Sequence, residues 1–253
     1  MILETFRLTG KNALVTGSSR GLGAAIAIAL AEAGASVALH GSRSVPKTVV
    51  DQVGATEARH VEFIADLRDP DRAPKLVEHT IEALGSIDIL VNNAGMIRRA
   101  PAVDFTMADW NEVLATNLTS VFRLSQSAGR HMLRRGSGKI INIASLLSFQ
   151  GGVTVPSYAA SKGGVAQLTK ALANEWAAKG VQVNAIAPGY METDNTEALR
   201  KDPTRSRQIL ERIPAGRWGS PRDVAGAAVF LASQASNYIN GHILAVDGGW
   251  LGR

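Results

Sequence analysis

Short runs of aliphatic and β-branched residues alternate along the chain with longer stretches whose apolar side chains recur at helical spacing. Residues 13–16 form one such run, 21–33 a helical stretch, and 36–40 the next run; similar runs return at 61–65, 87–91, 139–144, 181–187 and 243–246. The runs are apolar throughout rather than alternately, as in strands buried on both faces. Strands separated by helices are joined by right-handed crossovers, so the pattern predicts a doubly wound α/β fold of the Rossmann type, with about seven parallel strands covered on both sides. Two longer helical stretches, 106–135 and 157–179, are rich in Ala, Leu and Val. Each is expected to carry a second apolar face that serves a subunit interface. Residues 190–221 break the alternation with polar helical positions and Pro203, Pro214 and Pro221, which predicts a lid over the carboxyl ends of the strands. No stretch rich in Pro, Gly, Ser or one sign of charge divides the chain, so residues 1–253 are read as a single domain.

Composition narrows the function classes. There are no cysteines, which excludes disulfides and thiolate metal sites. The N-terminal residues include Glu4 and lack a basic region followed by an apolar run, and no window is apolar enough to span a membrane. A cytoplasmic protein without membrane partners is expected. The 27 Lys and Arg exceed the 22 Asp and Glu by five, but the charges are scattered. A nucleic-acid track needs a concentrated basic stripe, so no nucleic-acid partner is expected, and an anionic small molecule accounts for the excess more economically. None of the five histidines forms a helix-spaced pair, and no metal is expected.

The first strand–helix junction reads Thr16-Gly17-Ser18-Ser19-Arg20-Gly21-Leu22-Gly23. Glycines at 17, 21 and 23 let the backbone turn tightly and approach a pyrophosphate, which the helix amides favour. Such a loop is often only a turn, yet its place at the first junction points to a dinucleotide. Two other strand ends add to it: Asp66-Leu67, where the carboxylate is suited to an adenine amino group, and Asn92-Asn93-Ala94-Gly95, where the chain comes close to a ribose. Asp as a helix cap and Asn in a turn are the structural alternatives. The second strand ends His40-Gly41-Ser42-Arg43 without the acid that binds a ribose 2′-hydroxyl. Gly41 is expected to leave room there, and Arg43 and Arg20 are suited to a 2′-phosphate. The balance leans to NADP over NAD, although both arginines have a solvated alternative and NAD binds without an acid.

Tyr158 and Lys162 stand four residues apart, on one helix face. A neighbouring ammonium and a positive nicotinamide would lower the phenol pKa from about 10, so that it exchanges a proton near neutrality. Ser145 ends the fifth strand, where its hydroxyl faces the same crevice. Asn117 is polar in an otherwise apolar helix, which leaves a kink, a satisfied core amide or a water-holding residue as its readings.

Taken together, the glycine loop, Asn92-Asn93-Ala94-Gly95, Ser145, Tyr158 with Lys162, and Pro188-Gly189 resemble the short-chain dehydrogenase/reductase family from about residue 8 to the end. The resemblance implies that Tyr158 is the acid/base, Ser145 orients the carbonyl, Lys162 binds ribose hydroxyls and lowers the tyrosine pKa, and Asn117 completes a proton relay. It also places Thr193 on the nicotinamide amide or phosphate and implies a homotetramer that buries the two long helices and the C-terminal Trp250 segment. Within the family the likeness is to dehydrogenases of deoxy sugar acids, carried by stretches such as Met96-Ile97-Arg98-Arg99, Leu146-Leu147-Ser148-Phe149-Gln150 and Ala187-Pro188-Gly189-Tyr190. On that reading Arg98 or Arg99 binds the carboxylate, and Gln150 and Tyr190 bond hydroxyls; solvated loop residues are the alternative. Aromatic residues make up only 5% of the chain, which argues against steroids. Sugar-acid dehydrogenases of this kind are commonly NAD-linked, which pulls against NADP. The competing readings are a reductase of an alginate-derived ketouronate or of a 3-oxoacyl thioester, and a nucleotide-binding regulator without chemistry.

Overall fold

The apolar runs become seven strands, β1 (Asn12–Val15), β2 (Ser36–Gly41), β3 (His60–Ile64), β4 (Ile89–Asn92), β5 (Gly138–Ile143), β6 (Val181–Pro188) and β7 (Ile243–Val246), in a computed structural model that describes residues 1–56 and 58–253. All pairings are parallel and the order is β3-β2-β1-β4-β5-β6-β7. Successive residues of a strand point to opposite faces, and each face has its own core. Ala13 and Val15, Val37 and Leu39, and Ile89 and Val91 join one cluster; Leu14, Ala38 and Leu90 join the other. The first cluster packs under α1 (Gly21–Glu32), α2 (Lys47–Gly54) and α9 (Pro221–Ala232); the second packs under α3 (Arg72–Leu84), α5 (Ser120–Arg135) and α6 (Pro156–Trp176). Seven apolar runs and seven strands agree, with ends differing by one or two residues. The edge strands depart from continuous burial: β3 alternates with Ile64 outward, and β7 is only half-buried, because each lacks a neighbour on one side.

The stretch expected as one helix over 106–135 is three pieces. Thr106 caps α4 (Met107–Leu114) by accepting from the Asp109 amide, a π-helical turn covers Ala115–Thr119, and α5 follows. Beyond β6 the chain forms α7 (Glu197–Lys201) and α8 (Pro203–Leu210). Ile209, Ile213, Trp218 and Trp250 close with Leu146 into a separate apolar cluster beneath them.

The strand order reverses between β1 and β4. The carboxyl edge of the sheet at such a switch point is where open α/β sheets bind ligands.

Candidate active site

The loop after β1 fits a pyrophosphate on backbone grounds alone. Gly17 has φ of +64°, and a Cβ on it would lie 2.9 Å from Ala94 Cα; a Cβ on Gly23 would lie 2.2 Å from the Gly17 carbonyl oxygen. Only glycine allows loop, helix and β4 turn to close this tightly. Helix α1 begins after Arg20 with no side-chain cap, so its first amides are open to an anion. Asn93 stitches the two loops, its amide donating to the carbonyls of Thr16 at 2.9 Å and Gly17 at 3.0 Å, while Thr16 Oγ1 accepts from the Asn93 and Ala94 amides. Gly95 continues past the side chain of Asn117.

His40, a residue for which the sequence offered no role, braces this cradle. Its Nδ1 accepts from the Gly17 amide at 3.0 Å, its Nε2 donates to the Ala65 carbonyl at 2.9 Å, and its own amide donates to buried Ser18 Oγ at 2.8 Å. Burial holds its pKa below the usual value, which keeps Nδ1 free to accept. The only sequence signal was a lone His closing an apolar strand beside the glycine loop.

The groups expected at the adenine end are arranged differently from the sequence expectation. Arg68 encloses the Asp66 carboxylate, donating from Nε, Nη2 and its backbone amide at 2.6 to 3.1 Å. Those contacts use most of the acceptor capacity of Asp66. Leu67 is buried behind it. At the end of β2, a Cβ on Gly41 would lie 2.0 Å from the Ser44 carbonyl oxygen, so Gly41 is needed for the chain to fold back rather than to leave ligand room. Ser42 and Arg43 stand exposed on that fold. Ser19 is half-buried beside exposed Arg20, whose Nη1 forms a 2.9 Å ion pair with Asp194.

Asp194 follows Thr193, the cap of a short 3-10 turn after β6, where Pro188 ends the strand and the Gly189 amide donates to the Val246 carbonyl. The Thr193 methyl lies beside Gly21, so residues 193–194 meet the N-terminus of α1.

On the other side of β4, β5 delivers Ser145 in extended conformation at the head of a 3-10 turn, and α6 delivers Tyr158 and Lys162. The Ser145 hydroxyl accepts from the Leu147 amide at 3.1 Å and is close enough to the Tyr158 phenol to favour its ionised form. Lys162 Nζ lies 5.7 Å from the centre of the phenol ring and donates to the Ile143 carbonyl at 2.5 Å. Ser148 Oγ ties the two elements, accepting from the Ser145 amide and donating to the Lys162 carbonyl. The electrostatics differ from the expectation of a lowered phenol pKa. Burial raises the Tyr158 value, and the Ser145 hydroxyl and the Arg99 charge only partly oppose it. Burial also brings Lys162 down to about 8, so the amine holds its charge less firmly than a solvated lysine does.

Asn117 occupies the π-helical turn, where its Oδ1 accepts from the Met96 amide at 2.8 Å and its Nδ2 donates to the Met96 carbonyl at 2.9 Å and to Ser161 Oγ at 3.3 Å. Of the readings open in the sequence, the satisfied core amide describes its side chain. The π turn supplies the kink, and such turns recur at functional sites.

The proposed substrate residues separate into two groups. Arg99 is exposed and acts on the Tyr158 phenol, whereas Arg98 is drawn aside by Glu112. Arg98 is therefore not the free guanidinium the sequence allowed. Tyr190 is packed against Trp218 and Trp250 at ring distances of 5.6 and 4.7 Å, and Gln150 Oε1 accepts from Trp250 Nε1. Both rest at the base of the α7–α8 segment, where the Tyr190 ring packs in the small apolar cluster and Gln150 is bonded through its oxygen.

Comparison with known proteins adds to this geometry. A family model described as "Enoyl-(Acyl carrier protein) reductase" matches residues 17–251. The chain is 56% identical over 257 residues to the 2-dehydro-3-deoxy-D-gluconate 5-dehydrogenase of Bacillus subtilis (strain 168), covering 99% of this chain and 98% of the relative. It is 54% identical over 255 residues to the protein of the same name from Escherichia coli (strain K12), covering all of both. A crystal structure from Agrobacterium tumefaciens, described provisionally as a 2-deoxy-D-gluconate 3-dehydrogenase with bound NADP, has 53% identity and a TM-score of 0.92, covering 98% of this chain and 99% of that one.

Proposed function

The chain belongs to the short-chain dehydrogenase/reductase family, and from that premise we propose that it is an oxidoreductase moving a hydride between NADP or NAD and a keto or hydroxy group of a deoxy sugar acid. One observation carries the reading: Lys162 Nζ, beside the Tyr158 ring, bonds the Ile143 carbonyl at the carboxyl end of β5, two residues before Ser145, in the same parallel sheet whose first loop makes the glycine cradle. The relatives named as 2-dehydro-3-deoxy-D-gluconate 5-dehydrogenases support the substrate class.

A bound nicotinamide would supply or accept the hydride. The amides at the head of α1, with Gly17, Gly21, Leu22 and Gly23, are suited to its pyrophosphate. Leu67, Ala94, Gly95, Pro188, Gly189 and Thr193 are the residues we propose for the dinucleotide between its adenine and nicotinamide ends. Absence of an acid after β2, with Arg43 and Arg20 both exposed, favours a 2′-phosphate, as does NADP in the Agrobacterium structure. In the reducing direction Ser145 holds the substrate carbonyl oxygen and Tyr158 gives it a proton. The raised phenol pKa suits that step, because a neutral phenol is the form that donates. Lys162 binds ribose hydroxyls and replenishes the proton, and Asn117 keeps the Met96 backbone and α6 in register behind it.

Arg99 is the residue proposed for the substrate carboxylate, since a guanidinium pairs bidentately with one. Residues 190–221 act as the lid, with Arg20 and Asp194 as its contact with the cradle. The assembly is proposed as a homotetramer and the site of action as the cytoplasm.

Purified protein assayed with NADP(H) and NAD(H) tests this reading against 2-dehydro-3-deoxy-D-gluconate, an alginate-derived ketouronate and an acetoacetyl thioester. The sugar acid is expected to turn over with the highest kcat/KM. Turnover of the thioester alone, the substrate class nearest to the family model's description, would overturn the sugar-acid assignment.

A further inference from the structure

Arg98 and Arg99 are adjacent in sequence and have opposite surroundings. Glu112 Oε2 accepts from Arg98 Nε at 2.9 Å and Nη2 at 2.7 Å, and Asp109 Oδ1 lies 3.4 Å from the same Nε. Both acids stand on α4, and Glu112 is the least exposed member of the group. Its other oxygen accepts from Arg68 Nη1 at 3.2 Å, and Arg68 in turn encloses Asp66. One carboxylate thus fastens the loop after β4 to the loop after β3. Arg99 has no acidic partner among the described residues, and it is the arginine whose charge reaches the Tyr158 phenol.

The peptide that carries Arg99 is held from both ends. Upstream is the Arg98 clamp. Downstream, the Ala100 amide donates to the Thr154 carbonyl at 3.0 Å, and Thr154 has φ of 61°, the left-handed region that a β-branched residue adopts only under constraint. Strain at that position is consistent with a backbone held where the loop leading to Tyr158 meets the loop leading from β4. Adjacent long side chains released from such anchors sample many rotamers, and ordering them again on binding opposes affinity.

We propose that Glu112 is a positioning residue for the substrate carboxylate: by binding Arg98 against α4 it leaves Arg99 as the guanidinium without an acidic partner on a peptide anchored to the loop that leads to Tyr158. This rests on the sugar-acid reading above. Glu112 acts on the substrate through Arg98 and the peptide that follows it. Its effect is confined to how well Arg99 is presented, so it bears on recognition of a charged substrate and not on the proton step.

The test is a double-mutant cycle with two substrates, 2-dehydro-3-deoxy-D-gluconate and its uncharged methyl ester. Because partly exposed ion pairs are individually modest, Glu112→Gln is expected to raise KM for the acid by about three- to tenfold with kcat within about twofold. KM for the ester stays unchanged. Arg98→Gln is the second variant, free of any folding defect peculiar to the helix, and is expected to give the same selective rise. The double variant is expected to be no worse than either single one, since both remove one clamp. An unchanged acid KM, a parallel rise for acid and ester, or additive effects in the double variant would overturn the proposal. Wild-type protein that turns over neither compound would instead overturn the sugar-acid reading and the proposal with it.

Discussion

Lys162 keeps an ammonium where water does not reach it, with a single carbonyl, Ile143, as its hydrogen-bond partner. Burial lowers its pKa from 10.5 to about 8. Between those values the unfolded chain holds more protons than the folded one, so this group makes stability rise with pH across that interval. Lys162→Met removes the effect. Melting curves from pH 7 to 10.5 are therefore expected to show wild type gaining stability relative to the variant once pH passes about 8, with a total change on the order of a few kcal/mol. A stability difference that stays flat over that range would contradict a weakly held charge. At this scale the sequence disclosed the residues that do chemistry, because Tyr158 and Lys162 are four apart and Ser145 ends an apolar strand. It did not disclose those that act by bracing. His40 works through both ring nitrogens on backbone groups, and Glu112 through two arginines 44 and 14 positions away, so neither leaves a local pattern. The same blindness paired Arg98 with Arg99 as equals, although the partners that separate them lie on α4.

The loop between β1 and α1 is held together by close approach as well as by the side-chain bonds of Asn93, Thr16 and His40. Gly23→Ala would push a Cβ to 2.2 Å from the Gly17 carbonyl, which only a shift of the loop can relieve. Overpacking of this kind costs about 1–3 kcal/mol, so a dinucleotide Kd about tenfold weaker or more is expected by fluorescence titration. Gly226→Ala, in α9 with nothing within 4 Å of the added carbon, is the contrast: Kd unchanged and the helix more stable by up to about 1 kcal/mol. Equal effects from both substitutions would refute a cradle that depends on glycine. Element types were legible because strand and helix periods differ so clearly. The π-helical turn was not, since residues 115–119 keep a helical pattern of apolar positions while their backbone bonding slips by one residue. Nor was the aromatic packing of Tyr190 against Trp218 and Trp250, which joins side chains up to 60 positions apart. Those three rings convert the segment after β6 from a loop into a structured cap with its own small core.

Across the whole molecule, the two halves of the site come from the two halves of the sheet. The loop after β1 makes the cradle; β5, α6 and the π turn make the proton-transfer group; and the strand order reverses between β1 and β4, between those two halves. The sheet architecture was readable because it follows from connectivity rules that leave few topologies for alternating apolar strands and helices. The dinucleotide choice was less so, because it depends on whether exposed Arg43 and Arg20, the latter shared with Asp194, turn toward one phosphate. The account's central claim is hydride transfer to a sugar acid with Tyr158 as proton donor. It is tested most directly by incubating dinucleotide carrying deuterium at nicotinamide C4 with the sugar acid and following the label by mass spectrometry. Wild type is expected to place the deuterium on the carbon that becomes the alcohol, while Tyr158→Phe binds the dinucleotide but transfers no label. Labelled product from the phenylalanine variant, or none from the wild type, would contradict the account.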